Sequence, residues 1–357
     1  MAGRASKNSR KKYRVLVLMH QDLVPPDDLK GFSDKEILSW KTEYDVVNTL
    51  KEMGHEVRAL GVHDDLGIIR ETIEDFKPHV AFNLLEEFHG ISLYDQHVIS
   101  YLELLRQPYT GCNPRGLMLA HDKSLSKKIL TYHRIRTPRF TVFPRGKAVQ
   151  IPRGERQLRY PLIVKSLVEH GSYGISEKSI VTNEEKLRER VQYLHDQMET
   201  HAMAEEYIEG RELYLAILGN DRLQTLPVLE LVFGDMREGA PLIATSKVKW
   251  DWEYQKKHKI EVKKAKLPED VAQKIHKLGR RIYRALELSG YARLDLRLTE
   301  DGRVYVLEAN PNGDIGFGEE LCMAYEALGA KYKYEDLLQR VITLGMNYKA
   351  EWRLAES

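Results

Sequence analysis

The segment 291–313 constrains the fold of this chain more than any other part of the sequence. It reads YARLDLRLTEDGRVYVLEANPNG, with leucines alternating with charged residues ahead of an Asp301–Gly302 pair and a second apolar run. Alternation with a period of two predicts a half-buried strand, and Asp-Gly is a strong signal for a hairpin turn. The segment is therefore predicted to form an antiparallel hairpin whose two loop residues are Asp301 and Gly302.

This register places charged and polar residues face to face on one side of the hairpin. Asp295 should lie opposite Glu308, and Arg293 opposite Asn310. The other side pairs residues that should form a core, namely Leu294 with Ala309, Leu296 with Leu307 and Leu298 with Tyr305.

The two facing carboxylates favour a metal site. Asp295 and Glu308 would repel each other across the strand pair, so a bound cation is the usual reason to keep them. Oxygen ligands of this kind suit Mg²⁺ held together with substrate phosphates. The alternative is a surface hairpin whose acids are paired by Arg293 and Arg297.

The composition is that of an ordinary globular protein. The chain has 357 residues, enough for two or three domains, with 42% hydrophobic and 30% charged residues. A net charge of +2 gives no strong overall bias toward nucleic acid or anionic membranes. The two cysteines, Cys112 and Cys322, are far apart, which fits a reducing cytosol and argues against a disulfide framework or a zinc site. No apolar run reaches the length of a membrane-spanning helix.

The first dozen residues differ from the rest. Met1 to Lys12 carries five basic residues and no acid, and no apolar run follows it. This pattern is not that of a secretory signal, and a disordered, solubilising tail is expected.

Periodicity divides the chain into three lobes, α/β followed by α+β. The first third alternates strand and helix, including a helix over 37–50, which predicts a small parallel sheet with right-handed crossovers. Later strands at 202–207, 211–218 and 223–232 carry antiparallel turn signals, and Lys247–Lys264 lacks a clean period and is predicted to be a long loop. The predicted segments are a tail at 1–12, an N-terminal α/β domain at 13–118, a central lobe at 119–201, a C-terminal lobe with the metal site at 202–348 and a tail at 349–357.

Two further motifs could hold a nucleotide. The apolar strand 161–165 ends in Lys165 and precedes a Gly/Ser loop, whose backbone N–H groups can approach phosphate oxygens. An unpaired buried lysine is costly, which favours a phosphate-binding role for Lys165. The acidic turn within 203–213 could present backbone groups to adenine and Glu212 to ribose, but a solvated turn explains it equally well.

The order and spacing of these motifs resemble the ATP-grasp superfamily and, within it, the D-alanine–D-alanine ligases. The resemblance covers residues 13–344 and implies an ATP-grasp fold with an N-terminal parallel α/β domain, a small central lobe and a C-terminal mixed lobe. The segments that carry it are the Lys165 strand with its Gly/Ser loop, EEYIEGRE, ARLDLR, LEANPN and, in the first third, FNLL, YTGC and HDKS.

The resemblance implies contacts to ATP from several parts of the chain. These are Lys123, Lys165, Gly171, Ser172, Tyr173 and Gly174 for the phosphates, Glu205, Glu206, Tyr207 and Ile208 for adenine, and Glu212 for ribose. Lys249 matches the lysine of the family's mobile loop that reaches the γ-phosphate.

The resemblance also implies a metal and catalytic set. Asp295, Glu308 and Asn310 would coordinate two Mg²⁺ ions, with Mn²⁺ as a possible substitute. Arg293 would steady the transferred phosphoryl group and the tetrahedral intermediate. The catalytic serine of the glycine-rich loop falls on Gly171, or on Ser172 with a shift of one residue.

The implied chemistry is the formation of an amide through an acyl phosphate. A carboxylate oxygen attacks the γ-phosphate of ATP, and an amine then displaces phosphate from the acyl carbon. The developing negative charge would be stabilised by the metal ions and by fixed Lys and Arg side chains. The 247–264 segment would act as a lid that keeps water from the acyl phosphate.

The chain departs from the D-alanine ligases in its acceptor loop. Where the family continues with a Thr-, Ser- and Pro-Gly-containing loop that grips a carboxylate, residues 311–320 read PNGDIGFGEE. Acids there favour a cationic or neutral amine acceptor over D-alanine. The position after the lid lysine holds Trp250 instead of tyrosine, and Glu43 matches only loosely the acid that orients the donor's amine.

Three alternatives remain open at this point. The chain could be a D-alanine–D-alanine ligase with a divergent acceptor loop, or an ATP-binding regulator without turnover. A nucleic-acid-binding role for the basic tail and the 247–264 segment is the weakest, because the rest of the chain is near neutral. A cytoplasmic enzyme with small-molecule carboxylate and amine substrates, no nucleic-acid or membrane partner and a possible homodimer is expected.

Overall fold

The computed structural model describes residues 11–168, 174–237, 239 and 241–354, apart from the side chains of Asp34, Arg156, Trp352 and Leu354. The predictions for residues 1–10 of the basic tail and for the last three residues of the chain therefore lie outside the described residues. So do those for Gly171, Ser172 and Tyr173. Within the described residues, no helix is long and apolar enough to cross a membrane, and both cysteines are unpaired and buried.

The N-terminal lobe contains the predicted parallel sheet. Its order is β2-β1-β3, and its apolar central strand, β1, is buried over Val15 to Met19. The strands are β1 (Arg14–His20), β2 (Glu56–Val62) and β3 (Val80–Asn83), and the helices are α1 (Asp34–Ser39), α2 (Lys41–Glu52), α3 (Gly67–Phe76) and α4 (Asp95–Leu104).

The single helix predicted over 37–50 is wrong. The chain leaves the helical conformation at Trp40, where φ is −127° and ψ is 24°, so that α1 ends and α2 begins. The indole of Trp40 is buried against the rings of Phe32 and Tyr44. This packing outweighs the continuous helical period of the sequence.

Two helices lead from the first lobe to the second. They are α5 (Pro114–His121), capped by Asn113, and α6 (Lys123–Tyr132), capped by Asp122. The predicted boundary at 118 falls inside α5. The carboxylate of Asp122 accepts the backbone N–H groups of Ser124 and Leu125, both at 2.9 Å, which starts α6 at Lys123.

The central lobe is a four-stranded sheet of order β4-β7-β5-β6 with one long helix and a core of its own. Its elements are β4 (Phe140–Phe143), β5 (Leu162–Ser166), β6 (Ile180–Val181), α7 (Glu184–Gln197) and β7 (Ala202–Glu206). The predicted antiparallel succession of 202–207 with 211–218 does not form. Instead β7 lies between β4 and β5 as a central strand of that sheet, where its residues Ala202, Met203 and Ala204 are buried.

The C-terminal lobe is a larger sheet of order β11-β10-β8-β12-β13, with β9 paired to β8. Its strands are β8 (Arg211–Leu218), β9 (Gln224–Thr225), β10 (Leu229–Val232), β11 (Glu261–Lys264), β12 (Tyr291–Leu298) and β13 (Val304–Pro311). The strand predicted over 223–232 is therefore split in two. The helices are α10 (Glu269–Ala285), α11 (Glu320–Glu326), α12 (Tyr334–Met346) and α13 (Glu351–Leu354).

The long loop predicted for Lys247–Lys264 is wrong. The segment forms α8 (Ser246–Trp250), α9 (Trp252–His258) and the edge strand β11. Each helix is too short to show a period, but each has a cap: Thr245 accepts from Val248 N, and Asp251 accepts from Tyr254 N. The indoles of Trp250 and Trp252 remain exposed.

The N-terminal and C-terminal lobes share their cores. Both of the larger apolar clusters combine residues of the first sheet with residues of the last, such as Leu16 with Leu294 and Val17 with Tyr291. The β12–β13 hairpin is thus held from both sides, with the central lobe beside it.

Candidate active site

The β12–β13 hairpin brings the predicted metal ligands together. Asp295 lies opposite Glu308 and Arg293 lies opposite Asn310, as the predicted register required. The apolar partners differ from the prediction: Leu296 pairs with Val306 and Leu298 with Val304, because a β-bulge interrupts the ladder after Asp295. The turn is also longer than two residues, since Thr299 N donates to Arg303 O and Glu300 joins Asp301 and Gly302 in the loop.

The bulge falls at Leu307, next to Glu308. A bulge leaves one residue outside the ladder and redirects its backbone groups. The Leu307 carbonyl accepts a hydrogen bond from Lys127 Nζ at 3.0 Å. The residue before a predicted metal ligand is therefore tied to helix α6.

A buried charge triad joins the central lobe to α6. Glu205 Oε1 lies 2.7 Å from Lys165 Nζ, and Glu205 Oε2 lies 2.9 Å from Lys127 Nζ, with all three side chains buried. Burial favours the neutral forms, yet the two lysines hold the pKa of Glu205 below its usual value. Burial lowers the pKa of Lys127, whereas Glu205 and Glu308 outweigh burial at Lys165 and raise its pKa.

Lys123 lies at the first turn of α6, one helical turn before Lys127. Its ammonium is 3.1 Å from Glu308 Oε1, and its side chain is 4% exposed. Residues four apart on a helix share a face, so Lys123 and Lys127 both approach β13. The two predicted phosphate-binding lysines, Lys123 and Lys165, thus lie on either side of Glu205 and Glu308.

Arg293 is held by two acids on the same face of the sheet. Its guanidinium donates to Asp295 at 2.8 and 3.2 Å and to Glu320 at 2.8 Å, and it lies over the ring of Tyr214. Burial opposes the charge, but Asp295 and Glu320 hold the pKa of Arg293 above its usual value. The hairpin does not lie at the surface, because Asp295 is only 7% exposed. The pairing that this alternative predicted is confirmed for Arg293, which binds Asp295, whereas Arg297 pairs with Glu212.

The predicted adenine and ribose residues lie at the end of β7, in the connection that follows it and at the start of β8. Glu206 accepts from Arg159 N at 2.9 Å, Tyr207 N donates to Pro161 O, and Tyr207 and Ile208 are half-buried. Glu212 is buried and 2.9 Å from Arg297 Nη2. Arg297 also donates to the carbonyls of Gly210 and Leu242, so it fixes the segment that carries Glu212.

The remaining nucleotide residues lie at the edges of the described segments. Gly174 has φ of +73°, and its carbonyl accepts from Arg190 Nη2. Lys249 is half-buried in α8, which Ser246 N anchors to the Ile175 carbonyl after the glycine-rich loop. The 246–258 segment is therefore attached next to that loop.

The predicted metal-ligand set of Asp295, Glu308 and Asn310 offers two carboxylates and an amide. Among the described residues, no three His, Cys, Asp or Glu side chains are arranged to hold a metal ion. Asn310 supplies the third oxygen donor, and its buried Nδ2 has no hydrogen-bond partner among the described residues. Oxygen donors with room for substrate phosphates are the coordination that Mg²⁺ prefers.

The 312–320 loop is attached to the N-terminal lobe. Thr42 Oγ1 donates to Asp314 Oδ1 at 2.8 Å, and Cys112 N donates to Asn312 Oδ1 at 2.7 Å. The approach is so close that a Cβ at Gly111 would lie 2.3 Å from Asn312 Oδ1. Helix α2 and the 108–113 loop therefore determine where this loop lies.

An acidic cluster lies beside this loop. It consists of Glu43, Glu86, Asp314 and Glu319, none of which makes an ion pair with another described residue. Burial, reinforced by Glu86 and Asp314, raises the pKa of Glu43 to about 7. Burial, with Asp314 and Glu320, raises the pKa of Glu319 to about 7. These carboxyls therefore hold protons up to about pH 7, and the cluster gains negative charge only as the pH rises through that value or as a cation approaches it.

Sequence reasoning missed Lys127 and Glu86. The spacing of Lys127 from Lys123 was a usable signal, because it places both on one helical face. Glu86 carried no such signal, since only the packing of distant segments brings it near Asp314, whose charge helps burial to raise the pKa of Glu86.

Comparisons with known proteins agree with this architecture. The family model described as D-ala D-ala ligase C-terminus matches residues 129–343. A D-alanine–D-alanine ligase of Desulfotalea psychrophila is 32% identical over 266 residues, 74% of this chain and 78% of that protein. The uncharacterized protein y4sG of Sinorhizobium fredii is 30% identical and spans 83% of this chain and 85% of its own length.

The same fold occurs in a solved structure. The D-alanine–D-alanine ligase of Bacillus anthracis complexed with ATP superposes with a TM-score of 0.70 at 23% identity, covering 97% of this chain and 100% of that one. At this identity the likeness concerns the fold alone.

Proposed function

The chain belongs to the D-alanine–D-alanine ligase family of ATP-grasp enzymes, and on that premise we propose that it joins a carboxylate to a cationic or neutral amine other than D-alanine. Family membership makes it an ATP-dependent, ADP-forming ligase of small molecules. The observation that carries the acceptor proposal is the acidic cluster beside the 312–320 loop.

The ATP phosphates are assigned to Lys123, Lys165 and the glycine-rich loop, with Lys249 reaching the γ-phosphate. The assignment is supported by the burial of Lys123 and Lys165 beside Glu308 and Glu205. The adenine is assigned to the 205–208 segment and the ribose to Glu212, which Arg297 orients.

Two Mg²⁺ ions, or Mn²⁺ in their place, are assigned to Asp295, Glu308 and Asn310. The support is the facing register of the two acids, with Asn310 two residues after Glu308 and so on the same face of β13. When bound, the metal would neutralise charge on the phosphate oxygens. Arg293, held by Asp295 and Glu320, adds a fixed positive charge on the same face of the sheet.

The chain's own residues then account for the reaction. The donor carboxylate attacks the γ-phosphorus, ADP leaves, and the amine attacks the acyl carbon with loss of phosphate. Lysines and Arg293 stabilise the negative charge that spreads over the transferred group. Ser246 N, at the start of α8, donates to the Ile175 carbonyl, so α8 is attached one residue after Gly174, where it could exclude water from the acyl phosphate.

The acceptor proposal follows from charge. A free carboxylate next to Glu43, Glu86, Asp314 and Glu319 would be repelled, whereas a cation would neutralise the cluster. Amino acids or small peptides remain the donor class, and a basic or uncharged amine is the acceptor class. Homodimer formation and a cytoplasmic location stay predictions.

The second candidate is ligation of two D-alanines. It is favoured by the similarity to the D-alanine–D-alanine ligase of Desulfotalea psychrophila. It requires the acidic loop to accept a carboxylate, which the cluster disfavours.

The test is ADP and phosphate release from Mg-ATP with panels of donors and acceptors. The acceptors are D-alanine, basic amino acids, their amides and diamines, paired with D- and L-amino acids and dipeptides, with product masses determined. Glu308→Gln controls for contaminating ATPase. Release that needs a basic or neutral amine supports the proposal, whereas D-Ala–D-Ala as the sole product contradicts it.

A further inference from the structure

Lys127 has no place in the reaction described above, yet it is among the most deeply buried side chains of the protein. It is 2% exposed and fully enclosed between the central lobe and the hairpin. A buried ammonium is retained only if it is paired and hydrogen-bonded. Lys127 meets both conditions, through Glu205 and through the Leu307 carbonyl.

Its two partners belong to different parts of the site. Glu205 lies on β7 of the central sheet and also binds Lys165 at 2.7 Å. Leu307 lies on β13 of the C-terminal sheet, 180 residues away in sequence from Lys127. Lys127 therefore completes a continuous chain of charged and polar contacts from Lys165 to the residue preceding Glu308.

The contact to Leu307 coincides with the only irregularity in the described β12–β13 ladder. Without the bulge, the Val304–Val306 register would continue and place Leu307, not Glu308, opposite Asp295. A one-residue slip also moves a side chain to the other face of the sheet. Because the bulge takes Leu307 out of the ladder, its carbonyl oxygen needs a hydrogen-bond donor from elsewhere, and Lys127 supplies that donor.

We propose that Lys127 is a positioning residue that pins the Leu307 bulge, and thereby the Glu308 carboxylate, in register for metal–nucleotide binding. It touches neither nucleotide nor metal in this assignment. The inference rests on the proposed role of Glu308 as a metal ligand. Partners that orient metal ligands typically contribute 10–100-fold to metal affinity, so about a tenfold effect is expected.

The test is calorimetric binding of a non-hydrolysable ATP analogue with and without Mg²⁺. In Lys127→Met, the gain in nucleotide affinity that Mg²⁺ provides should fall about tenfold, with metal-free affinity changed much less. The matched control is Lys128→Met, which removes the neighbouring exposed lysine of the same helix. If Lys127→Met folds and Mg²⁺ still increases its nucleotide affinity as much as in the wild type, the inference is overturned.

Two further measurements keep the outcome decisive. If Lys127→Met does not fold, Lys127→Gln retains a hydrogen-bond donor without the charge, and it should show a smaller loss of the same kind. If neither variant folds, backbone amide hydrogen exchange is measured in the wild-type protein. Binding of the ATP analogue without metal should slow exchange of residues 304–311, because Lys165, Glu205 and Lys127 link the nucleotide site to this strand. Unchanged exchange there overturns the inference. If Mg²⁺ does not increase the affinity of the wild-type protein for the ATP analogue, that result would instead contradict the proposed metal site.

Discussion

The candidate active site has two ends, the proposed nucleotide end around Glu205 and Glu308 and the loop end around Asp314, and their charges are paired differently. At the nucleotide end, buried lysines, an arginine and acids alternate, as in Lys165–Glu205–Lys127 and Lys123–Glu308. At the loop end, Glu43 and Glu319 each lie near Asp314, and burial together with neighbouring acids raises their pKa values to about 7. One end is electrostatically balanced before any ligand binds, and the other is left for a ligand to balance.

The difference indicates which end determines specificity. Paired charges hold fixed positions and suit a cosubstrate that every member of the family uses. Unpaired acids raise the free energy of the unliganded site and favour a ligand that brings positive charge. The family's chemistry would thus be retained at one end while the substrate changed at the other.

The largest expected effect comes from breaking the balanced end. Glu308→Gln keeps the shape of the side chain but removes one charge from the proposed metal-ligand set and from the ion pair with Lys123. The rate of ligation should fall by about 10²–10³-fold, as when one electrostatic contributor to a transition state is lost. Steady-state phosphate release at saturating Mg-ATP measures it. Glu300→Gln, in the exposed turn of the same hairpin, is the control, and equal activity of both variants would refute the assignment.

The unbalanced end can be tested through stability. Because burial raises the pKa of Glu43 from 4.5 to about 7, the folded state binds a proton that the unfolded state loses between these values. The wild-type stability should therefore fall as pH rises from about 4.5 to 7 and stay low above it. Glu43→Gln should raise the free energy of unfolding by about 2 kcal/mol at pH 8 and change little below pH 4.5. Urea denaturation at both pH values measures this, and a pH-independent effect would contradict the expected titration.

The smallest effect concerns acceptor recognition. Glu319→Gln removes one charge from the cluster, so KM for a cationic acceptor should rise about tenfold, or ~1.4 kcal/mol, with KM for ATP unchanged. Glu326→Gln, which removes an exposed acid at the end of α11, the helix that follows Glu319, should leave both constants unchanged. The wild-type KM for the acceptor should also fall as pH rises through 7, because Glu319 then gains its charge. A rise in KM for ATP in place of the acceptor would contradict the division between the two ends.

Much of the balanced end could be predicted from local pattern. The alternation in 291–298 and the Asp-Gly turn placed Asp295 opposite Glu308, and the structure confirms this pair. The predicted two-residue turn was nevertheless wrong. The pair is still correct because the extra loop residue shifts the register by one, and the bulge at Leu307 shifts it back. Local pattern does not reveal a bulge whose hydrogen-bond donor lies on another helix.

The predictions that failed share a physical cause. Trp40 breaks a helix because its ring packs against Phe32 and Tyr44, and 202–206 joins the central sheet because β4 and β5 cover its apolar run. The 247–264 segment forms two capped helices too short to show a period. In each case contacts or caps outweighed a weak periodic signal.

The sequence by itself determined the hairpin, its facing acids, the strand lysine and the acidic character of the 311–320 loop. These depend on residue order and on periods of 2 and 3.6, which are local properties of the chain. The tertiary structure alone decided that Glu205 bridges Lys165 and Lys127, that Lys127 holds the Leu307 bulge, and that Glu43 meets Asp314. Those contacts join residues far apart in sequence, and the strength of each charge depends on how the packed lobes exclude water from it.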